Sequence, residues 1–185
     1  GIKPIIGCEF YMASGSRKDK KSGAGRGQRF HQVLLAKNYT GYRNLTKLTS
    51  ESFISGFYYK PRIDKGLLRE YSEGLICLSS CLQGEIPQLL LDGHIDLAKG
   101  VLEFYQNLFG DDFYLEIQRH GIDKQEKIIP RLAQFSEDFQ VKLVATNDSH
   151  FLRREDAGAH DVLLCVGTQA KVSDPDRLRF EGEEF

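Results

Sequence analysis

Short apolar runs alternate with amphipathic stretches of helical length along this chain, and this alternation most constrains its fold. The runs Leu75–Ser79 and Phe113–Gln118 are each followed by a stretch with helical spacing, of which Ile95–Phe109 is the clearest. Strands that alternate with helices build α/β folds. The sequence therefore predicts an α/β sheet or barrel in which mostly parallel strands alternate with helices.

The same patterns place the other elements of the fold. The apolar run before Glu9 predicts a first strand that ends at this carboxylate, and Val141–Ala145 reads as a strand buried on both faces. Pro130 predicts a kink or break in the helix that contains it. The remaining predictions are a strand at 30–36 and helices at 41–54, with Tyr42, Leu45, Leu48 and Ser52 on its inner face, at 123–139 and at 153–166.

Composition bounds the class of protein. A chain of 185 residues with 41% hydrophobic and 28% charged residues and a net charge of -1 is typical of one soluble globular domain. This charge neither suggests nor excludes a nucleic-acid partner. No apolar run approaches the length of a membrane span, and Gly1–Pro4 does not resemble a signal peptide, so we expect a cytoplasmic protein with reduced cysteines.

Potential metal ligands lie at the ends of the predicted strands. Because strand ends in α/β folds are where sites are built, these side chains are expected to converge. Carboxylate, imidazole and thiolate ligands together suit zinc or manganese. Taken singly, each has a plain alternative: a surface acid, a hydrogen-bonded structural histidine or an inert buried cysteine. The candidates are Glu9, His31, Cys81, Asp148 and His150.

Two further features are open to more than one interpretation. Glu116, Gln118 and His120 alternate onto one face, where they either line the same cavity or form a satisfied buried polar row. The segment 14–29 is a glycine-rich basic loop, either a solvated insertion or a contact to a DNA backbone, although no aromatic residue is interleaved. Its basic residues are Arg17, Lys18, Lys20, Lys21, Arg26 and Arg29.

Four segments, in order along the chain, closely resemble the PHP (polymerase and histidinol phosphatase) domain of bacterial replicative DNA polymerases of family C. They are GIKPIIGCEF at 1–10, HQVLLAKN at 31–38 with GYRNL at 41–45, LSSC at 78–81 and ATNDSH at 145–150. The resemblance runs nearly from end to end. Its long first and second segments favour the polymerase over a stand-alone histidinol-phosphatase-type phosphoesterase, which stays as an alternative.

The resemblance implies a distorted seven-stranded β/α barrel that holds up to three metal ions, usually zinc or manganese. Glu9 would be the bridging carboxylate, His31 and Cys81 would bind beside it, and Asp148 with His150 would complete the set. Some members use this centre for 3′–5′ exonuclease proofreading. Others are inactive structural or interaction modules that dock a separate exonuclease. The parent protein would be a magnesium-dependent DNA-directed DNA polymerase with DNA and other replicase subunits as partners.

One departure limits these expectations. The first family motifs, a His-x-His followed by an aspartate and a further histidine, would lie before Gly1 and are not in this sequence. We therefore expect residues 1–185 to be a PHP domain without its first strands and metal motifs. A partial barrel, partial metal occupancy and no efficient phosphoesterase activity follow from that expectation. Residues 171–185 are expected to be a polar edge leading toward the polymerase domain.

Overall fold

A computed structural model describes residues 1–20 and 29–180, and its centre is a six-stranded sheet with the order β3-β1-β2-β4-β5-β6. The strands are β1 (Gly7–Ala13), β2 (Arg29–Ala36), β3 (Arg62–Ile63), β4 (Leu75–Leu78), β5 (Phe113–Ile117) and β6 (Lys142–Ala145). The helices are α1 (Tyr39–Ile54), α2 (Lys65–Glu70), α3 (Glu85–Leu91), α4 (Ile95–Phe109), α5 (Asp123–Phe139) and α6 (Ala157–Thr168). Two short 3-10 turns, Gly110–Asp112 and Arg154–Asp156, precede β5 and α6.

The sheet confirms the predicted α/β class. Strand β1 is parallel to β3, and β4, β5 and β6 are parallel to one another. Strand β2 is the exception, because it runs antiparallel to both β1 and β4. This antiparallel strand carries His31, one of the candidate ligands, into the middle of the sheet.

Residues of β1 and β2 alternate between the two faces of the sheet. Phe10 and Met12 of β1 and Leu34 of β2 are buried in the hydrophobic core, which fills the space between the sheet and the helices. Glu9 and His31 occupy the alternate positions of these strands and therefore project from the opposite face, because successive side chains of a strand point to opposite sides. The core thus fixes the face on which the polar residues lie.

Two strand predictions were wrong in detail. The run Val141–Ala145 is not buried on both faces, since β6 is an edge strand that pairs only with β5 in the described part of the chain. Leu143 is accordingly 38% exposed, while Val141 is buried. Glu9 does not end the first strand, because β1 begins at Gly7 and continues to Ala13 after the exposed residue Ile6.

The long helices agree with the predicted bounds. Helix α4 spans the predicted residues and buries Ala98 and Leu102, whereas Leu97 is exposed. Tyr42 of α1 is also exposed, unlike Leu48. Helix α5 continues through Pro130 rather than ending there. Within the residues described, none of the helices has the length and apolar composition needed to cross a membrane.

Candidate metal centre

The β1–β2 hairpin brings Glu9 and His31 together. The register pairs Glu9 with Val33 and Tyr11 with His31, so all four residues lie on the same face of the hairpin. The Glu9 Oε1 atom is 3.0 Å from Nδ1 of His31. A slip of one residue in this register would move Glu9 to the other face. The buried residues on the core face therefore keep the two polar side chains in contact.

Cys81 reaches the same point from the turn that follows β4. Ser80 has a φ of 69°, in the left-handed region, and this conformation turns the chain directly after the strand. The turn docks onto β2 through the backbone amide of His31, which donates to the carbonyl of Gln83 at 2.9 Å. As a result, Sγ of Cys81 is 3.6 Å from Nδ1 of His31.

A carboxylate, an imidazole and a thiol thus form one cluster. One ligand atom from each of Glu9, His31 and Cys81 lies within 4.8 Å of the other two. Hydrogen bonds to Cys81 and then to Glu9 raise the pKa of His31 to about 10, because both partners favour the charged imidazolium. The surroundings therefore favour a positive charge between the three groups.

The donor set of this cluster fits a zinc ion. Carboxylate oxygen, imidazole nitrogen and thiolate sulfur are the three ligand types that zinc takes in proteins, and three protein ligands leave one position for water or substrate. The side chain of Glu9 is 44% exposed and that of His31 is 24% exposed. The cluster is therefore open to a ligand from the surface side.

Tyr11 and Arg29 hold the ring of His31 from one side. The Tyr11 ring meets the imidazole edge to face, with 5.2 Å between the centroids. The Arg29 guanidinium in turn lies 5.1 Å from the centroid of Tyr11. This stack limits rotation of the His31 ring, which keeps Nδ1 directed at Glu9 and Cys81.

The structure does not bring Asp148 and His150 into the cluster. The amide of Asp148 donates to Nε2 of His120 at 3.2 Å, and Nδ1 of His150 lies 2.8 Å from the carbonyl oxygen of Asp148. The ring of His150 packs on Phe180, with 4.2 Å between the centroids. Their role as further ligands therefore stays a prediction.

Glu116, Gln118 and His120 form a polar row behind the cluster, and both interpretations of this row hold in part. Glu116 and His120 are buried. Oε1 of Glu116 accepts hydrogen bonds from Thr146 Oγ1 and from Gln118 Nε2, while Oε2 has no partner among the described residues. Glu116 and Gln118 also line a small cavity of about 10 Å³ together with Cys81. Burial raises the pKa of Glu116.

This row ties together the two loops that carry the candidate ligands. The amide of Glu116 donates to Ser79 Oγ at 2.8 Å, which fixes the start of the turn that holds Cys81. Oγ1 of Thr146 donates to Glu116, and the amide of Asp148 donates to His120. These two hydrogen bonds hold the chain on both sides of Asn147. The roles of Ser80, which turns the chain before Cys81, and of Thr146, which binds Glu116, were not predicted from the sequence. Of these, Thr146 was open to recognition, because it lies two residues before Asp148 within the same motif.

The described residues of the basic loop have different surroundings. The guanidinium of Arg17 forms an ion pair with Asp64, and its side chain is only 14% exposed, which argues against a contact with a DNA backbone. Lys18 and Lys20 are exposed, and Arg29 is exposed beside Tyr11. Lys21 and Arg26 lie outside the described residues. DNA contact by this loop stays a prediction.

Asp64 anchors the base of this loop, and its contribution to stability is expected to depend on pH. Burial alone would raise the pKa of Asp64, but hydrogen bonds from the amides of Leu67 and Arg17 and the charge of Arg17 outweigh it, so the pKa lies below its ordinary value. The ionised form therefore stabilises the fold above the ordinary pKa of about 3.9. This stabilisation is lost as the pH falls through the lower pKa of the folded state.

Replacing Asp64 with asparagine should keep an oxygen for the α2 cap but remove the charge. We expect a loss of about 1–3 kcal/mol in the free energy of unfolding at pH 7, because a charge-assisted buried hydrogen bond is lost. Urea denaturation of wild type and D64N from pH 7 to pH 2.5 measures this difference. The difference in the free energy of unfolding between the two proteins should become smaller below pH 4. A difference that is constant with pH would contradict the lowered pKa of Asp64.

Comparisons with known proteins agree with the fold. A family model described as "PHP domain" matches residues 1–120. The chain is 52% identical over its full length to the DNA polymerase III subunit alpha of Borreliella burgdorferi, 49% to that of Thermus aquaticus and 48% to that of Treponema pallidum. It spans 15 to 16% of the length of these relatives.

The family match covers β1, β2, β4 and β5, and with them the whole cluster of Glu9, His31 and Cys81. The alignments with these relatives extend over the whole chain, so they include the segment around Asp148 that lies beyond residues 1–120. The chain belongs to the PHP domain family.

Proposed function

We propose that Glu9, His31 and Cys81 bind a divalent metal ion, and that this centre is the functional site of the domain. The observation that supports this proposal is the approach of three different ligand atoms to within 4.8 Å of one another. A thiolate among the donors favours zinc, and manganese is the second choice, since softer sulfur ligands select zinc over oxygen-preferring metals. Asp148 and His150 are proposed as further ligands of the intact centre.

The reaction class that this centre suits is hydrolysis of a phosphodiester. A metal ion held there would supply Lewis-acid charge and lower the pKa of a bound water. Within the protein, the Tyr11–Arg29 stack orients His31, and the row of Glu116 and His120 positions the two ligand loops. We propose 3′–5′ exonuclease activity in the intact domain, supported by the surface exposure of the donors.

We further propose that the chain is the PHP domain of a bacterial replicative polymerase, with residues 171–185 at its polar edge. The relatives that match the whole of this chain are named as polymerase subunits, which supports this assignment over a stand-alone phosphoesterase. The parent protein would then be a magnesium-dependent DNA-directed DNA polymerase in the cytoplasm. Its partners would be DNA and other replicase subunits, such as a separate proofreading exonuclease.

Cobalt binding tests the proposed centre directly, because a cysteine ligand gives Co²⁺ a thiolate charge-transfer absorption band. We expect the wild-type chain to show this band and to bind zinc in competition with cobalt. Cys81→Ser should remove the band and weaken metal binding by more than the roughly 10- to 100-fold cost of changing a residue outside the ligand sphere. Absorption titrations and metal analysis of the dialysed protein measure both effects.

Cys8→Ser is the matched control for this experiment. Cys8 precedes Glu9 on β1 and points to the opposite face, so the same substitution leaves the cluster untouched. C8S should keep the cobalt band and the wild-type affinity. Equal loss of the band in C8S and C81S, or the absence of metal binding in wild type, would contradict the proposed centre.

A second candidate is an inactive structural or interaction module of the same polymerase. The observation that favours it is that Asp148 and His150 are engaged with His120 and Phe180 rather than with the cluster. Metal analysis of the full-length polymerase separates the two candidates. Stoichiometric metal and a nuclease activity that E9Q removes would support the metal-dependent function, whereas metal-free protein with normal polymerase activity would support the structural module.

A further inference from the structure

A cleft opens beside the proposed metal centre. Its volume is about 700 Å³, which lies within the range of pockets that bind ligands. Leu82 and Gln83 line it directly after Cys81 in the chain, and Gly121 lines it directly after His120. The cleft therefore continues from the turn that carries the thiol of Cys81, along the first turns of α5.

The charge in this cleft is predominantly positive. Lys124 and Lys127 are exposed and lie three residues apart on α5, so they share one face of the helix, and Arg179 lines the same cleft from the chain after α6. Asp123 is the acidic residue in the lining. In the described part of the chain, neither lysine has an ion-pair partner. Both ammonium groups are therefore available to an anionic ligand.

An aromatic ring completes the cleft at the end nearest His150. Phe180 is part of the lining, and its ring packs against that of His150. The ring is half-buried, so one part of its surface faces the cleft. Basic side chains that follow a backbone, with an aromatic side chain on which a base stacks, are the combination that binds single-stranded nucleic acid.

We infer that the cleft binds a short single-stranded segment of DNA and leads it toward the metal centre. Lys124, Lys127 and Arg179 would contact successive phosphates, and a base would stack on Phe180. A duplex fits this arrangement less well, because the faces of its bases are covered by their neighbours. The inference rests on the proposed phosphodiester hydrolysis and adds the residues that would hold the strand.

Fluorescence anisotropy with a labelled short oligodeoxythymidylate tests the cleft separately from the metal centre. The titrations contain EDTA, so binding is measured whether or not the chain retains metal or has nuclease activity. K124Q/K127Q should weaken binding about tenfold or more. It should also flatten the dependence of log K on log salt by about 1.4, because two phosphate contacts to a single strand are lost. F180A should weaken binding about fivefold or more through lost stacking.

Two double variants serve as controls with the same change in charge. R43Q/K47Q removes two exposed cations from α1, which does not line the cleft, and should change affinity less than twofold. K18Q/K20Q removes two exposed cations of the basic loop and tests this loop as the alternative DNA contact. Thermal melts of all variants establish that each one is folded.

The cleft is supported if only the cleft variants lose affinity and an unlabelled duplex competes poorly. It is overturned if K124Q/K127Q binds like wild type, if K18Q/K20Q accounts for the loss, or if wild type binds only duplex or no DNA. A wild-type chain that binds DNA through the cleft but binds no metal would contradict the metal proposal and leave the cleft standing.

Discussion

Alanine at position 41 is expected to destabilise the fold by about 3 kcal/mol, at the upper end of the usual cost of overpacking. A Cβ on Gly41 would lie 1.8 Å from the carbonyl oxygen of Gly74 and 2.6 Å from its carbonyl carbon. That carbonyl has little freedom to move, because it accepts a hydrogen bond of 2.9 Å from the amide of Lys37. The first turn of α1 would therefore have to shift away from the chain that enters β4.

Urea denaturation of wild type and G41A measures this cost, and G100A is the matched control. Gly100 lies inside α4, and a methyl group on its Cα would have no described atom within 4 Å outside the neighbouring turns of the helix. Alanine there should stabilise the fold by about 0.5–1 kcal/mol through helix propensity. An unchanged midpoint in G41A would show that α1 does not pack against Gly74 in this way.

Alanine at position 84 is expected to damage both the fold and the metal centre. Gly84 has an ordinary φ of -66°, so its backbone conformation suits any residue and the cost is one of space. A Cβ there would lie 2.2 Å from the carbonyl oxygen of Ser79. The Ser79–Cys81 turn would have to move, and it would take Sγ of Cys81 away from His31.

We expect G84A to lower the free energy of unfolding by about 1–3 kcal/mol. We also expect it to weaken cobalt binding about tenfold or more, because residues that position a metal ligand without binding the metal have effects of this size. Chemical denaturation and cobalt titration measure the two effects. G158A is the control, since a methyl group there would have no described atom within 4 Å outside its own helix. If G84A is destabilised but keeps the wild-type metal affinity, the position of the Ser79–Cys81 turn does not control metal binding.

The elements that the sequence predicted best are those specified by local pattern. The bounds of α4 and α5 agree with the predictions because each helix carries an amphipathic repeat long enough to show its period. The exposure of β6 was not predictable in this way. An apolar run looks the same at the edge of a sheet as at its centre, and only the missing neighbour in the described sheet makes the difference.

The candidate site shows the same division between local and long-range information. The ligand types at Glu9, His31 and Cys81 were recognisable from the motifs, and the structure brings their atoms together. The different placement of Asp148 and His150 depends on contacts with His120 and Phe180, which are distant from one another in sequence. The spacing of Asp148 and His150 in the sequence therefore does not predict these contacts.

The position of the donors in the hairpin also implies an order of assembly. Glu9 and His31 become neighbours as soon as β1 pairs with β2, whereas Cys81 arrives only when a much later segment adds β4 to the other side of β2. Synthesis makes the N-terminal segments first. A nascent chain would therefore hold the carboxylate and the imidazole before the thiol is made. The preference for zinc that the thiolate of Cys81 gives to the proposed centre would then be added last.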